Sequence, residues 1–294
     1  MTNPRKDYIT RIKANVSIYA TKKTSNVLDG TYPSVFHGRS LNFEDLREYV
    51  PGDNIRDIDW KSSGRAGTIL VKRYIADKKH SIMLVLDTGA KMTGDTAQFE
   101  SKREIALRTA GTVGYIAYKN GDTVGSLYNN DGLIKLNPFR TGIPNLERIL
   151  AQYDRDLEST KKNSIEKSLN FILNNFKKRM IIFVITDMDG ISQVSEPCLK
   201  RLKTRHDVLF VNISDLGLTG NKVFDIDGRG YVPSFISGNK TLARLEAEKR
   251  KEIIDSNAHK LLKFGVSSVT IDKEDDIVTK IIELLESHRY ANIR

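Results

Sequence analysis

The chain has one cysteine, one tryptophan, seven prolines and no long apolar run among its 294 residues. Each scarcity excludes something. A lone Cys198 rules out an internal disulfide and a cysteine-based zinc cluster. No stretch approaches the roughly 18 apolar residues that a membrane span needs. The N-terminus, MTNPRKDYITRIK, has no apolar segment of the secretory kind, so the expected location is the cytoplasm. His37, His80, His206, His259 and His288 are scattered without ligand spacing. There is no P-loop, no Ser/His/Asp order and no paired histidine ligands. A catalytic constellation is therefore not expected.

What is present is positive charge. Lys and Arg number 47 against 37 Asp and Glu, a net charge of +10. That balance favours polyanions in principle. However, no basic run reaches five residues, and no aromatic-studded basic motif appears. The alternative to polyanion binding is a solvated basic surface.

The stretch Ser81–Met92, SIMLVLDTGAKM, organises the rest. Ile82–Leu86 are apolar, and Asp87 follows where Thr88 and Gly89 break the run. A short, wholly apolar run reads as a strand buried on both faces. In open α/β sheets, sites lie beyond the carboxyl ends of the strands. Met180–Thr186 repeats the pattern and closes on Asp187.

Between and around these strands the chain alternates strand and helix. Asp7–Ala20 suits an amphipathic helix with Tyr8, Ile12, Val16 and Tyr19 on one face. Phe99–Tyr118 is a helix whose Ala106, Ala110, Val113 and Ala117 lie on one side. Thr123–Tyr128 and Leu133–Leu136 flank Asn129-Asn130-Asp131-Gly132, which is hairpin chemistry, so the second is an antiparallel edge strand. Asn163 with Glu166 forms a capping-box pattern for the helix after it. Pro197–Thr204 is a helix carrying Cys198, read as an inert packed thiol. Val208–Ile213 is a strand, and Leu216–Gly238 a glycine-rich loop with a short ribbon through Tyr231–Ser237. A helix over Leu242–Phe264, a strand over Val266–Ile271 and a helix over Glu274–His288 capped by Asp272 complete the chain.

Asn42–Lys72 is the densest local signal. Pro51-Gly52 sets a turn. Around it sit Arg47, Glu48, Asp53, Arg56, Asp57, Asp59 and Arg65, alternating in sign, with Ile55, Ile58 and Trp60 between them. The structural reading is an ion-pair lock on an irregular ribbon; the functional one is a docking surface. Trp60, the single tryptophan, is expected in the core beside Ile58. The division is drawn at residues 1–78, an extension carrying the ribbon, and 79–294, the α/β domain.

These residues carry a resemblance. Phe43, Leu46-Arg47-Glu48-Tyr49, Pro51-Gly52-Asp53, Arg56, Ile58-Asp59-Trp60, Ser63, Arg65 and Val71-Lys72, followed by the Asp87-ended strand, resemble the signature of domain-of-unknown-function family 58. The resemblance implies a von Willebrand factor A-like α/β fold: a doubly wound, mostly parallel sheet with one antiparallel edge strand, plus an N-terminal charged ribbon and helix extension. It also implies a non-enzymatic partner of a MoxR-type AAA+ ATPase, acting in assembly or activation of other proteins.

That fold's metal-ion-dependent adhesion site uses D-x-S-x-S after the first strand, completed by a threonine and an aspartate from later loops. Here the stretch is Asp87-Thr88-Gly89-Ala90-Lys91, with Ser164 near the threonine position and Asp187 near the late aspartate. Gly89 offers no side-chain oxygen, and Lys91 offers only donors, whereas Mg²⁺ needs oxygen ligands in near-octahedral array. The expectation is a degenerate site with no metal and no other cofactor. Lys91 either folds back between Asp87 and Asp187 in the ion's place or points to water. Two alternatives stand beside the adaptor reading: a basic protein binding nucleic acid or anionic membrane, and a metal-dependent hydrolase using Asp57, Asp59 or Asp187.

Overall fold

A computed structural model describes residues 8–22, 41–76, 79–130, 132–157, 163–217, 224–225, 230–231 and 238–292. The chain divides into two compact units, residues 36–80 and the remainder.

The larger unit is built on the apolar runs. Strands β3 (Ser81–Leu86), β4 (Thr123–Asn130), β5 (Leu133–Arg140), β6 (Ile181–Thr186), β7 (Asp207–Ile213) and β10 (Ser267–Ile271) form one sheet in the order β10-β7-β6-β3-β4-β5. Of the four interior strands, β3, β6 and β7 read as largely apolar runs because both of their faces are covered. All neighbours are parallel except β5, which runs antiparallel to β4 at the edge. The two-residue strands β8 (Phe224–Asp225) and β9 (Gly230–Tyr231) pair separately; the rest of the ribbon expected at Tyr231–Ser237 lies outside the described residues.

Helix α1 (Tyr8–Lys22) belongs with this unit, not with the ribbon, which corrects the grouping of residues 1–78. It buries Ile9, Ile12 and Val16, each aliphatic side chain stabilising by about 1.5–3 kcal/mol when fully buried. A Cβ on Gly111 would lie 2.2 Å from Ile12, and one on Gly114 2.4 Å from Leu146. Both glycines stand on helix α3 (Lys102–Lys119), so their lack of a side chain lets α1 and α4 (Ile143–Asp156) approach it closely. Tyr8 Oη donates to Asp154 at 2.6 Å, and Arg103 Nε grips the same carboxylate at 2.7 Å.

Several local expectations are corrected. Helix α3 starts at Lys102 with Ser101 as its cap, and Phe99 lies before it at φ +62°. Helix α5 (Ile165–Asn175) is capped by Ser164, whose Oγ accepts from Lys167 N, and not by Asn163. Lys273, without a side-chain cap bond, precedes the 3-10 turn Glu274–Asp276 where Asp272 was expected to cap. Short helix α6 (Met188–Ser192) follows β6. Helices α7 (Glu196–Arg205), α8 (Lys240–Lys263) and α9 (Ile277–Asn292) complete the cover. Cys198 is buried, and burial, helped by the Glu166 charge, pushes its thiol up to about 11.

The smaller unit is a hairpin with one break in its register. Strands β1 (Leu41–Glu48) and β2 (Leu70–Ala76) are antiparallel, with a register shift between Phe43 and Asp45. The connection holds a 3-10 turn, Ile55–Asp57, and helix α2 (Trp60–Ala66). Asp59 caps α2 by accepting from Ser62 N at 3.0 Å. Arg47 and Asp53 pair at 2.5 Å, and Asp53 also accepts from Val50 N at 2.9 Å. Those bonds, the Arg47 one foremost, hold the Asp53 carboxyl below its usual range. Lys72 stands 3.8 Å from Asp59. The lock is therefore partial: Glu48, Arg56, Asp57 and Arg65 make no ion pair among the described residues. Trp60 is not core but 66% exposed, because helix α2 turns Ser63 inward and leaves its first residue outside.

Candidate functional site

Strands β3 and β6 are hydrogen-bonded neighbours at the centre of the sheet, with Leu86 opposite Ile185. The residues that directly follow the two strands, Asp87 after Leu86 and Asp187 after Thr186, therefore emerge side by side, and both are buried. Asp87 N donates to Ile185 O at 3.0 Å, which fixes the first acid against the second strand. A third acid joins them. Asp215 lies two residues past β7, the neighbour of β6 on the other side.

Each carboxylate is tied by the protein itself. Asp87 Oδ1 accepts from Gly89 N at 2.8 Å and from Asn163 Nδ2 at 2.7 Å. Its Oδ2 accepts from Thr186 Oγ1 at 2.5 Å, and its carbonyl accepts from Tyr153 Oη at 2.8 Å. Asp187 Oδ1 accepts from Gly190 N at 3.0 Å, in the manner of a cap on α6. Its Oδ2 accepts from Lys102 Nζ at 2.9 Å, and the same ammonium bonds Asp215. Arg250 holds the loop carrying Asp215 through the Asp215 and Leu216 carbonyls.

The electrostatics follow from burial. Asp87 has its pKa raised, first by burial and then by the neighbouring Asp187 charge, against the bonds from Thr186, Gly89 and Asn163. Asp215 is raised as well, by burial, with Lys102 opposing. Burial works against the Lys102 charge, yet Asp187 and Asp215 together lift its pKa above the ordinary lysine value. The side chain is 1% exposed, so this cation faces carboxylates and not water. The packing leaves no slack. A Cβ on Gly190 would lie 1.8 Å from Thr186 Oγ1, and one on Gly89 would lie 3.0 Å from Asp87 Oδ1.

The residues expected from sequence are thus partly reassigned. Asp87 and Asp187 do converge. Lys91 bonds Asp189 on the rim, with 47% of its side chain exposed; the ammonium on Asp187 comes from Lys102. Ser164 serves as a helix cap, and it is its neighbour Asn163 that reaches Asp87. Three of the missed residues left traces in the sequence. Asp215 follows a third largely apolar strand, one residue further on than Asp87 and Asp187 follow theirs. Thr186 directly precedes Asp187. Lys102 is a cation in the first turn of a helix, where the backbone dipole disfavours positive charge, so it needs an acidic partner nearby. Among the described residues no group of three or more His, Cys, Asp and Glu is arranged to hold a metal ion.

The model of a family described as protein of unknown function DUF58 matches residues 45–217. Uncharacterized proteins of Mycobacterium bovis and Mycobacterium tuberculosis are 25% identical to the chain over 196 residues. The match covers 66% of this chain and 61% of each relative, so the chain spans under two thirds of their length. Among solved structures, the SpRpn10 VWA domain overlaps at a TM-score of 0.33 and 11% identity, covering 47% of this chain and 77% of that one. A von Willebrand factor type A protein from Catenulispora acidiphila overlaps at 0.39 and 8%, covering 75% and 44%. At such scores the fold is described by the strand order itself: a mostly parallel sheet with one antiparallel edge pair.

Proposed function

The chain belongs to the DUF58 family, and on that premise we propose that it is a non-enzymatic interaction protein. Its α/β unit presents the loops beyond β3 and β6, residues 88–95 and 187–192, with residues 161–164, as a docking face; residues 161 and 162 lie outside the described residues. The observation that carries this reading is the engagement of the site acids. All four carboxylate oxygens of Asp87 and Asp187 already accept bonds from protein donors, one of them an ammonium. A catalytic acid or base must reach a substrate proton. These acids are turned inward and occupied, which suits a fixed scaffold.

The same donors bear on metal binding. A divalent ion needs free oxygen lone pairs in near-octahedral array. Gly89 contributes no side-chain oxygen, and Lys102 places a positive charge against Asp187. The residues present do not fit the ion that this site class uses, and our reading includes no metal and no other cofactor. Magnesium is expected to leave the melting temperature unchanged, because a ligand stabilises only a fold that binds it. A rise with magnesium that EDTA reverses would overturn this.

The proposed partner is an AAA+ ATPase of the MoxR type. Its support is the resemblance of the ribbon signature, an analogy and not a contact. Pull-down of the host's own ATPase by the tagged chain, with and without ATP, is the test; failure in both nucleotide states would end it. No helix among the described residues is long and apolar enough to cross a membrane.

A further inference from the structure

The 36–80 unit carries apolar surface that it does not bury. Val50, Ile55, Trp60 and Ile69 are 55, 65, 66 and 48% exposed. They gather at one end of the hairpin. Tyr49 N donates to Ile69 O at 2.8 Å, which sets Val50 beside β2's start, and Asp59 N donates to Leu70 O at 2.9 Å, which brings Trp60 to the same end. Within residues 45–72 only Ser63 and Val71 are buried. So little burial gives little to offset the entropy of ordering the chain. Four exposed large apolar residues at one end of such a unit point to a protein contact.

Charge selects the kind of partner. At 3.6 residues per turn, Trp60, Gly64, Lys61 and Arg65 fall within an arc of roughly 140° on α2, and Ser63 faces away from it. Lys61 and Arg65 are exposed, make no ion pair among the described residues, and share α2 with no acidic residue. A Cβ on Gly64 would meet nothing within 4 Å, so the surface beside the indole is open. A second copy of this chain would bring its own net charge of +10 to a face already cationic.

We propose that this face docks an acidic amphipathic segment of a partner protein, with Trp60 as the anchor buried on binding. Lys61 and Arg65, the charges of α2, form the rim that meets its carboxylates. Tryptophan and arginine are the side chains that most often dominate such contacts, and rim charges set orientation and association rate. The proposal is independent of the loop face on the α/β unit, since it concerns the other unit.

Trp60 is the single tryptophan, so its fluorescence reports this face alone. The probes are a synthetic helical peptide with one leucine face and one glutamate face, the same peptide with lysine for glutamate, and a single-stranded oligonucleotide, each added to the full chain. The acidic peptide is expected to shift the emission to shorter wavelength and to reduce acrylamide quenching at micromolar concentration, while the lysine peptide does neither. Lys61→Glu with Arg65→Glu removes the response. Gly64→Glu weakens it tenfold or more, and that variant keeps its fold, because it meets no neighbouring atom and replaces glycine with a better helix former. No response up to millimolar peptide, or equal responses to both peptides, would overturn the proposal. A stronger response to the oligonucleotide would overturn it too, and would assign the face to nucleic acid.

Discussion

Replacing Lys102 with methionine is the sharpest probe of the α/β unit. The substitution nearly keeps the volume and deletes one charge. In the native protein that ammonium is 1% exposed and shared by Asp187 and Asp215, with Asp87 beside them. Removing one partner of a buried ion pair costs about 3–5 kcal/mol, chiefly because the other charge stays buried and unpaired. Two carboxylates lose their partner here, so the upper part of that range is expected near neutral pH. The pH dependence gives the sign. Without the ammonium that opposes burial at Asp215, that carboxyl is driven further toward protonation in the folded state, so its folded pKa stands above the unfolded value. A group shifted that way lends stability at low pH and loses it as pH rises through the folded value. The deficit against wild type should therefore be widest near pH 7 and narrow toward about pH 4. Adding Asp215→Asn removes one stranded charge and should recover part of the loss. Urea unfolding at the two pH values measures both effects. A deficit below about 1 kcal/mol, typical of exposed pairs, or one that widens on acidification, would refute the argument.

Further outcomes follow from other residues. His288 is fully buried, and burial, with the Lys203 charge next, pushes its imidazole down to about 4. Its contribution is thus present above its unfolded pKa near 6.5 and is lost as pH falls from there toward 4, by up to about 3 kcal/mol. His288→Leu should flatten the wild-type stability profile across that window, which chemical denaturation at several pH values checks. Gly190→Ala places a methyl 1.8 Å from Thr186 Oγ1, and overpacking of this kind costs about 1–3 kcal/mol. Its melting temperature should fall, and an unchanged value would mean that the Thr186–Asp87 bond can move aside freely.

Much of the α/β unit was legible because its signals are local. Ile82–Leu86 followed by Asp87 announces a doubly covered strand and where it ends. Asn129–Gly132 announces the reversal that makes β5 antiparallel. The small faces of α3 announce close packing. The site was legible only in part, for a physical reason: a backbone period places an acid at a strand end, but it does not say which long side chain reaches that acid. Lys91, four residues from Asp87, met the requirement for a cation as well on paper as Lys102 did. The difference lies in the turn through Phe99, which returns the chain so that Lys102 starts its helix pointing inward. Trp60 was misplaced for a related reason. An apolar residue beside Ile58 suggests a core only if a core exists, and residues 45–72 scarcely build one. Gly89→Ser, the obvious route to restoring an adhesion-type oxygen, also meets an obstacle that the sequence hides, since any Cβ there crowds Asp87 Oδ1.

The hairpin of the smaller unit has a consequence for how this protein can change over time. Leu41 pairs with Ala76, so the segment is entered and left through two adjacent backbones. It is thus a cassette set between α1 and β3 of the larger unit. Segments whose ends lie together can be lengthened, exchanged or excised while a short bridge rejoins the remaining chain. Residues added or lost between β1 and β2 accordingly leave the strand pairing in register, since the entropy of closing a loop grows only slowly with its length.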